Sequence, residues 1–261
     1  MSIVDRFRLD EKVALVPGGS GGIGSQLVRG LAGAGARVTI AGTSKENVEK
    51  AARGVEEAGS EALAVVGDMT TEENAERAIG ETLERFGRID IVVNAIGGGA
   101  GKVLHPAHEY PREDWDWIFE LNVRSALVPT QYAVQAMIEA GRGGRVLNIS
   151  SVRGQLGIDA GYSAYVAAKG AIDALTRQEA TEWARYGITV NAIAPTFVDT
   201  PQVAMLLGDP EFKEKLVSRI PLARVGQPDD LIGAVLLFCS DASSYITGQI
   251  LTIDGGLTAT Q

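Results

Sequence analysis

Cysteine and histidine are scarce: the 261 residues include one of the former, Cys239, and two of the latter, His105 and His108. A lone thiol excludes an internal disulfide, and its place just after the apolar run 231–238 marks it as a buried, inert group in a reducing compartment. Pro106 and Pro111 interrupt the segment holding both histidines, so their rings need not share a helix face and no metal is expected. No apolar run approaches the roughly 18 residues that would suggest a membrane-spanning helix. The opening MSIVDRFRLDEK mixes acids with bases and lacks an apolar core of signal-peptide length, so a cytoplasmic protein is expected. Like charges never gather into a long block, and 33 acidic against 24 basic side chains leave a net charge of −9. That balance argues against nucleic acid and anionic membranes as partners. Proline- or serine-rich linkers, low-complexity tracts and internal repeats are missing too, so residues 1–261 read as one domain.

What the chain does have is alternation. Short apolar runs at 13–16, 38–40, 62–66, 91–94, 146–149, 189–193 and 250–253 are separated by longer segments of helical periodicity. This is the pattern of repeated β-α-β units. The runs alternate little between apolar and polar, which implies burial of both sheet faces. The expected fold class is therefore α/β, a doubly wound parallel seven-stranded sheet with helices on both faces. Thr70 and Glu73 read as a capping box for a helix over 72–85, and Gly35 and Gly87 sit where glycine closes helices. The least regular stretches are 97–111 and 197–221; in such sheets ligands bind in loops beyond the carboxyl ends of strands.

The first strand hands over to VPGGSGGIG, with five glycines in the seven positions 18–24. A glycine inside an element costs about 0.5–1 kcal/mol relative to alanine, so the cluster needs a geometric reason. Bare backbone at a helix N-terminus suits the pyrophosphate of a dinucleotide. Two glycine registers are present, Gly19-Gly21-Gly24 and Gly18-Gly22-Gly24. A carboxylate closing the second strand would grip the ribose of NAD, but Gly42, Thr43, Ser44 and Lys45 stand there and the first acid is Glu46. Two hydroxyls and a lysine suit a 2′-phosphate, which makes NADP the preferred cofactor and NAD the alternative. Asp68, after the third strand, either binds the adenine amino group or caps a turn.

Tyr165 and Lys169 are four apart and so project from one helix face. A free phenol ionises near pH ~10, and an adjacent ammonium favours the phenolate. The two read as one acid–base unit. Ser150 and Ser151 end the fifth run, where a hydroxyl can reach a substrate carbonyl beside the tyrosine. Asn122, in FELNVRSAL, is a polar residue in an apolar helical pattern: a functional amide or a satisfied core one. Trp115 and Trp117 nearby read as packing.

These stretches together resemble the short-chain dehydrogenase/reductase family over about residues 9–257. The family's T-G-x-x-x-G-x-G loop is matched by 17–24 and its N-N-A-G by Asn94-Ala95-Ile96-Gly97. Its Asn-Ser-Tyr-Lys tetrad is matched by Asn122, Ser151, Tyr165 and Lys169, its nicotinamide loop by NAIAPTFVDT, and its C-terminal signature by YITGQILTIDGG. The resemblance implies a Rossmann-type fold and NAD(P)-dependent interconversion of a secondary alcohol and a ketone in a small molecule, without a metal. It implies that Tyr165 exchanges the proton, Lys169 tunes it and holds the nicotinamide ribose, Ser151 polarises the carbonyl, and Asn122 holds a relay water. Cofactor contacts are implied for Gly18, Ser20, Gly21, Gly22, Ile23, Gly24, Thr43, Ser44, Asp68, Met69, Asn94, Ala95, Tyr165, Lys169, Val198 and Thr200. A substrate lid at 197–221 is implied as well, and so is a homotetramer built from the helices of Asn122 and Tyr165 and the last strand.

The chain departs from the family pattern at Pro17, Ala95 and Thr196, which replace threonine, asparagine and glycine. The spacing of 14 between Ser151 and Tyr165 implies a bulge at 157–161. The stretch EWARYGITVNAIAP is similar to sugar-acid and polyol members such as gluconate 5-dehydrogenase. The alternative is a 3-oxoacyl-carrier-protein reductase, which would be marked by convergence of Arg124, Arg142, Arg145 and Arg153 into a basic patch. A silent nucleotide-binding redox sensor is the alternative of another class. Enoyl reductases space their tyrosine and lysine farther apart than four.

Overall fold

Seven strands pair in the computed structural model, which describes residues 2–260. They are β1 (Val13–Pro17), β2 (Arg37–Gly42), β3 (Ala62–Val66), β4 (Ile91–Asn94), β5 (Gly144–Ile149), β6 (Ile188–Pro195) and β7 (Ile250–Ile253). The order is β3-β2-β1-β4-β5-β6-β7, and every neighbouring pair is parallel. β3, β4 and β7 have the expected bounds; the others run slightly longer. Backbone pairing carries them past their apolar runs: Gly42 pairs with Val66, and Gly144 with Ile188.

The helices are α1 (Gly24–Gly33), α2 (Lys45–Glu57), α3 (Glu72–Phe86), α4 (Arg112–Phe119), α5 (Ser125–Ala140), α6 (Ser163–Trp183), α7 (Ala204–Leu207), α8 (Pro210–Val217) and α9 (Ile232–Cys239). Residues of α1, α2 and α9 share one core with Val16, Ile40 and Leu147. Residues of α3, α5 and α6 share the opposite one with Leu15, Val92 and Val190. Leu15 and Val16 are thus both fully buried, on opposite faces, which explains the unbroken apolarity of β1. Cys239 lies in the first core, and burial pushes its thiol up to about 12. No helix among the described residues is long and apolar enough to cross a membrane.

The expected cap at Thr70 is displaced by one residue. Asp68 Oδ1 accepts both the Thr70 N–H (3.0 Å) and its hydroxyl (2.8 Å), drawing Thr70 into a turn. Thr71 caps α3 instead, accepting the Asn74 N–H at 3.4 Å, and the helix closes on Gly87 at φ +74°.

Strand order reverses between β1 and β4, which opens a crevice at their carboxyl ends. Pro17 holds the last ladder position of β1, and its carbonyl accepts the Ala95 N–H at 2.9 Å. That bond fastens the glycine loop to the exit of β4.

Candidate active site

The glycine loop forms one wall of the crevice. Gly18 has φ +77°, and a Cβ there would stand 2.5 Å from the Ile96 amide nitrogen. A Cβ on Gly24 would strike the Gly18 carbonyl oxygen. Among the described residues, the amides of Ser20, Gly22 and Ile23 donate to no protein acceptor. Unsatisfied donors at the N-terminus of α1 fit a pyrophosphate. Thr200 crosses this wall, close enough that a Cβ on Gly22 would lie 2.8 Å from its own Cβ.

The loop borders a cleft of about 270 Å³ whose walls also include Ser151, Tyr165 and Lys169. Lys169 is 3% exposed, and its Nζ donates to the Ile149 carbonyl at 2.9 Å. Burial pushes its ammonium down to about 8, against the pull of Asp173. Burial also raises the Tyr165 phenol; the Ser151 hydrogen bond and the charge of Arg153 only partly oppose it. This corrects the expectation that the lysine makes Tyr165 unusually acidic. In the protein alone, the cost of desolvating a phenolate exceeds the help from nearby cations, so Tyr165 keeps its proton at neutrality.

The adjacent serines have different fates. Ser150 is buried, and its hydroxyl donates to Asp173 Oδ1 at 2.5 Å. Ser151 faces the cleft and accepts the Arg153 N–H at 3.1 Å. Asn122 sits in a π-helical turn, Glu120–Arg124, between α4 and α5. Its Oδ1 accepts the Gly98 N–H at 2.8 Å, and its Nδ2 donates to the carbonyls of Gly98 (3.1 Å) and Ile118 (3.0 Å). The amide therefore ties the loop after β4 to the helix, and the π-turn makes room for it. Asn94 braces the next layer, donating through Nδ2 to Thr130 Oγ1 (2.7 Å) and Asn148 Oδ1 (2.8 Å).

Of the residues singled out in the sequence, Gly21, Gly22, Ile23, Gly24, Ala95, Gly97, Ser150, Ser151, Arg153, Tyr165, Lys169, Thr196 and Thr200 meet at the cleft. Asn122, Asn94, Met69 and Val198 are buried, and Gly18 begins the loop against the backbone of Ala95 and Ile96. Thr43 is exposed past β2, while Ser44 caps α2 by accepting the Asn47 N–H at 3.4 Å. Asp68 serves the turn before α3. Sequence reasoning missed Tyr162, Phe197, Gln202 and Leu206, which also line the cleft. The irregular stretch at 197–221 pointed to three of them, without saying which side chains turn inward.

Arg145 and Arg153 do not converge. Arg145 opens β5 and bonds to Asp241 at 3.0 Å, whereas Arg153 follows the other end of that strand. Arg124 is held by the Thr70 carbonyl at 2.8 Å. His105 bonds to Asp114 at 2.7 Å, and His108 stands 3.3 Å from Glu109. No group of three His, Cys, Asp or Glu side chains able to hold a metal ion occurs among the described residues.

A family model described as enoyl-(acyl carrier protein) reductase matches residues 18–258. The chain is 37% identical over 258 residues to gluconate 5-dehydrogenase of Gluconobacter oxydans, covering 99% of each chain. It is 36% identical over 252 residues to 3-oxoacyl-[acyl-carrier-protein] reductase of Thermotoga maritima, covering 96% of this chain and 99% of that one. Among solved structures, a gluconate 5-dehydrogenase from Burkholderia cenocepacia in complex with NADP and tartrate superposes with a TM-score of 0.92 at 36% identity, 99% of both chains being covered.

Proposed function

The chain belongs to the short-chain dehydrogenase/reductase family and is an NAD(P)-dependent oxidoreductase acting on CH–OH groups; on that premise we propose that it interconverts the secondary alcohol and ketone of a polyol or sugar acid, preferring NADP. The observation that carries this reading is the placement of Tyr165 and Ser151 across the cleft from unsatisfied glycine-loop amides. When bound, the nicotinamide supplies or accepts the hydride. The amides of Ser20, Gly22 and Ile23 would hold its pyrophosphate, and Thr43, Ser44 and Lys45 would hold the 2′-phosphate.

Tyr165 gives its proton to the carbonyl oxygen during reduction and takes one from the hydroxyl during oxidation. Ser151 donates to the same oxygen. Lys169 borders Tyr165 and would hold the nicotinamide ribose, and Asn122 keeps the loop after β4 in place. Residues 197–221 close over the substrate. The chain works as one domain over 1–261, assembled into a cytoplasmic homotetramer. The separation of Arg145 from Arg153 at opposite ends of β5 favours a free small molecule over a carrier-bound one.

The test is a screen of polyols, sugar acids and β-ketoesters with each nicotinamide cofactor, followed by cofactor absorbance. Turnover of a polyol or sugar acid with NADP is expected. Preference for NAD would overturn the role of residues 43–45, and absence of any turnover would overturn the reading itself.

A further inference from the structure

Charge is unevenly spread around the cleft. In a chain of net charge −9, the charged side chains on its wall are Arg153 and Lys169, and none of the described lining residues is a carboxylate. Lys169 is turned inward onto the Ile149 carbonyl. Arg153 is placed differently. It lies in the 3-10 turn Val152–Gly154 directly after Ser151, whose hydroxyl holds its backbone N–H.

The Arg153 side chain is half-buried and donates through Nη1 to the Gly157 carbonyl at 2.9 Å. Among the described residues it forms no ion pair. It borders both the cleft and a second cavity of about 300 Å³, which Arg219 and Asp159 also line. Arg219 opposes its charge, while Tyr162 and Tyr165 lie within electrostatic reach on the cleft side.

A guanidinium offers five N–H donors in a planar fork, and a carboxylate matches that fork in both geometry and charge. Half-withdrawn from water, such a group is better accommodated once an anion arrives.

We propose that Arg153 is a specificity-determining residue that binds a substrate carboxylate, so that the alcohol or ketone handled at Tyr165 and Ser151 belongs to a hydroxy acid or oxo acid. The inference rests on the oxidoreductase reading and narrows its substrate class.

The test compares gluconate with its neutral counterpart glucitol, in wild type and in the Arg153→Met and Arg153→Lys variants, by steady-state kinetics with NADP. Gluconate binding to the cofactor-loaded proteins is measured by calorimetry, and melting temperatures confirm that each variant folds. Wild type is expected to favour gluconate. Arg153→Met should raise the KM for gluconate about 10- to 100-fold, the loss of one charge-assisted pair, while kcat/KM for glucitol, which has no carboxylate to lose, falls far less. Arg153→Lys should recover part of the loss. Equal damage to both substrates, an unchanged KM for gluconate, or wild-type preference for glucitol would overturn the inference. If nothing is turned over, calorimetry still decides: Arg153-dependent gluconate binding upholds the inference while the catalytic reading falls, and Arg153-independent or absent binding overturns it.

Discussion

The Nζ of Lys169 stands 5.8 Å from the centre of the Tyr165 ring and donates to the Ile149 carbonyl at 2.9 Å. The pair is close, yet burial governs both: the lysine falls to about 8 and the phenol rises. Reduction uses the phenol and oxidation the phenolate. Alcohol oxidation should therefore speed up as pH rises from neutrality, while ketone reduction holds and then declines in the alkaline range. Initial rates in both directions across pH check this; oxidation that slows with rising pH would contradict it.

Ser150 and Ser151 should separate stability from turnover. Ser150→Ala leaves the Asp173 carboxylate without its 2.5 Å donor, which costs about 1–3 kcal/mol and lowers the melting temperature. Ser151→Ala should fold like wild type but lose roughly 10²-fold in kcat. Melting curves and kinetics on both variants give the answer, and the reverse pattern would exchange their roles.

Two glycine replacements should move stability in opposite directions. Gly18→Ala forces a side chain into φ +77° with its Cβ 2.5 Å from Ile96 N, so it should destabilise by about 1–3 kcal/mol and weaken dinucleotide binding. In the middle of α3, a Cβ on Gly80 meets nothing within 4 Å, so Gly80→Ala should stabilise by about 0.4–1 kcal/mol. Denaturant unfolding and cofactor titration measure both effects.

Glu179, 7% exposed on α6, is pushed up to about 8 by burial, with Glu182 adding to the shift. Its folded form keeps a proton that an unfolded chain releases near the ordinary carboxylate value of 4.5. The stability it lends is full below that value and is lost as pH rises to about 8. Glu179→Gln should therefore be more stable than wild type at pH ~8.5, with a smaller gain at pH ~5. Thermal unfolding at the two pH values checks this; a gain independent of pH would contradict it.

Much of this arrangement is legible in the residues. Unbroken apolar runs mark strands buried on both faces, and the glycine cluster marks the β1–α1 junction because only bare backbone fits between Gly18, Ile96 and Gly24. Spacing placed Tyr165 beside Lys169. What it could not convey is solvation, and solvation decides which way the phenol shifts. Local competition was hidden as well: Thr70 and Thr71 are equally good caps until Asp68 captures the first. The π-turn at Asn122 leaves no mark in helical periodicity. Asp173 and Glu179 look like solvent-facing acids until the sheet buries them. Arg153 reads in the sequence as one of four candidates for a basic patch because cleft and surface differ only in three dimensions.

The most direct test replaces Tyr165 with phenylalanine, removing one oxygen from the cleft wall. Turnover is followed by nicotinamide absorbance and cofactor affinity by fluorescence titration on the same preparation. The account predicts a kcat reduced by roughly 10²–10⁴-fold, with cofactor affinity kept within a few-fold. Wild-type turnover in Tyr165→Phe would contradict it.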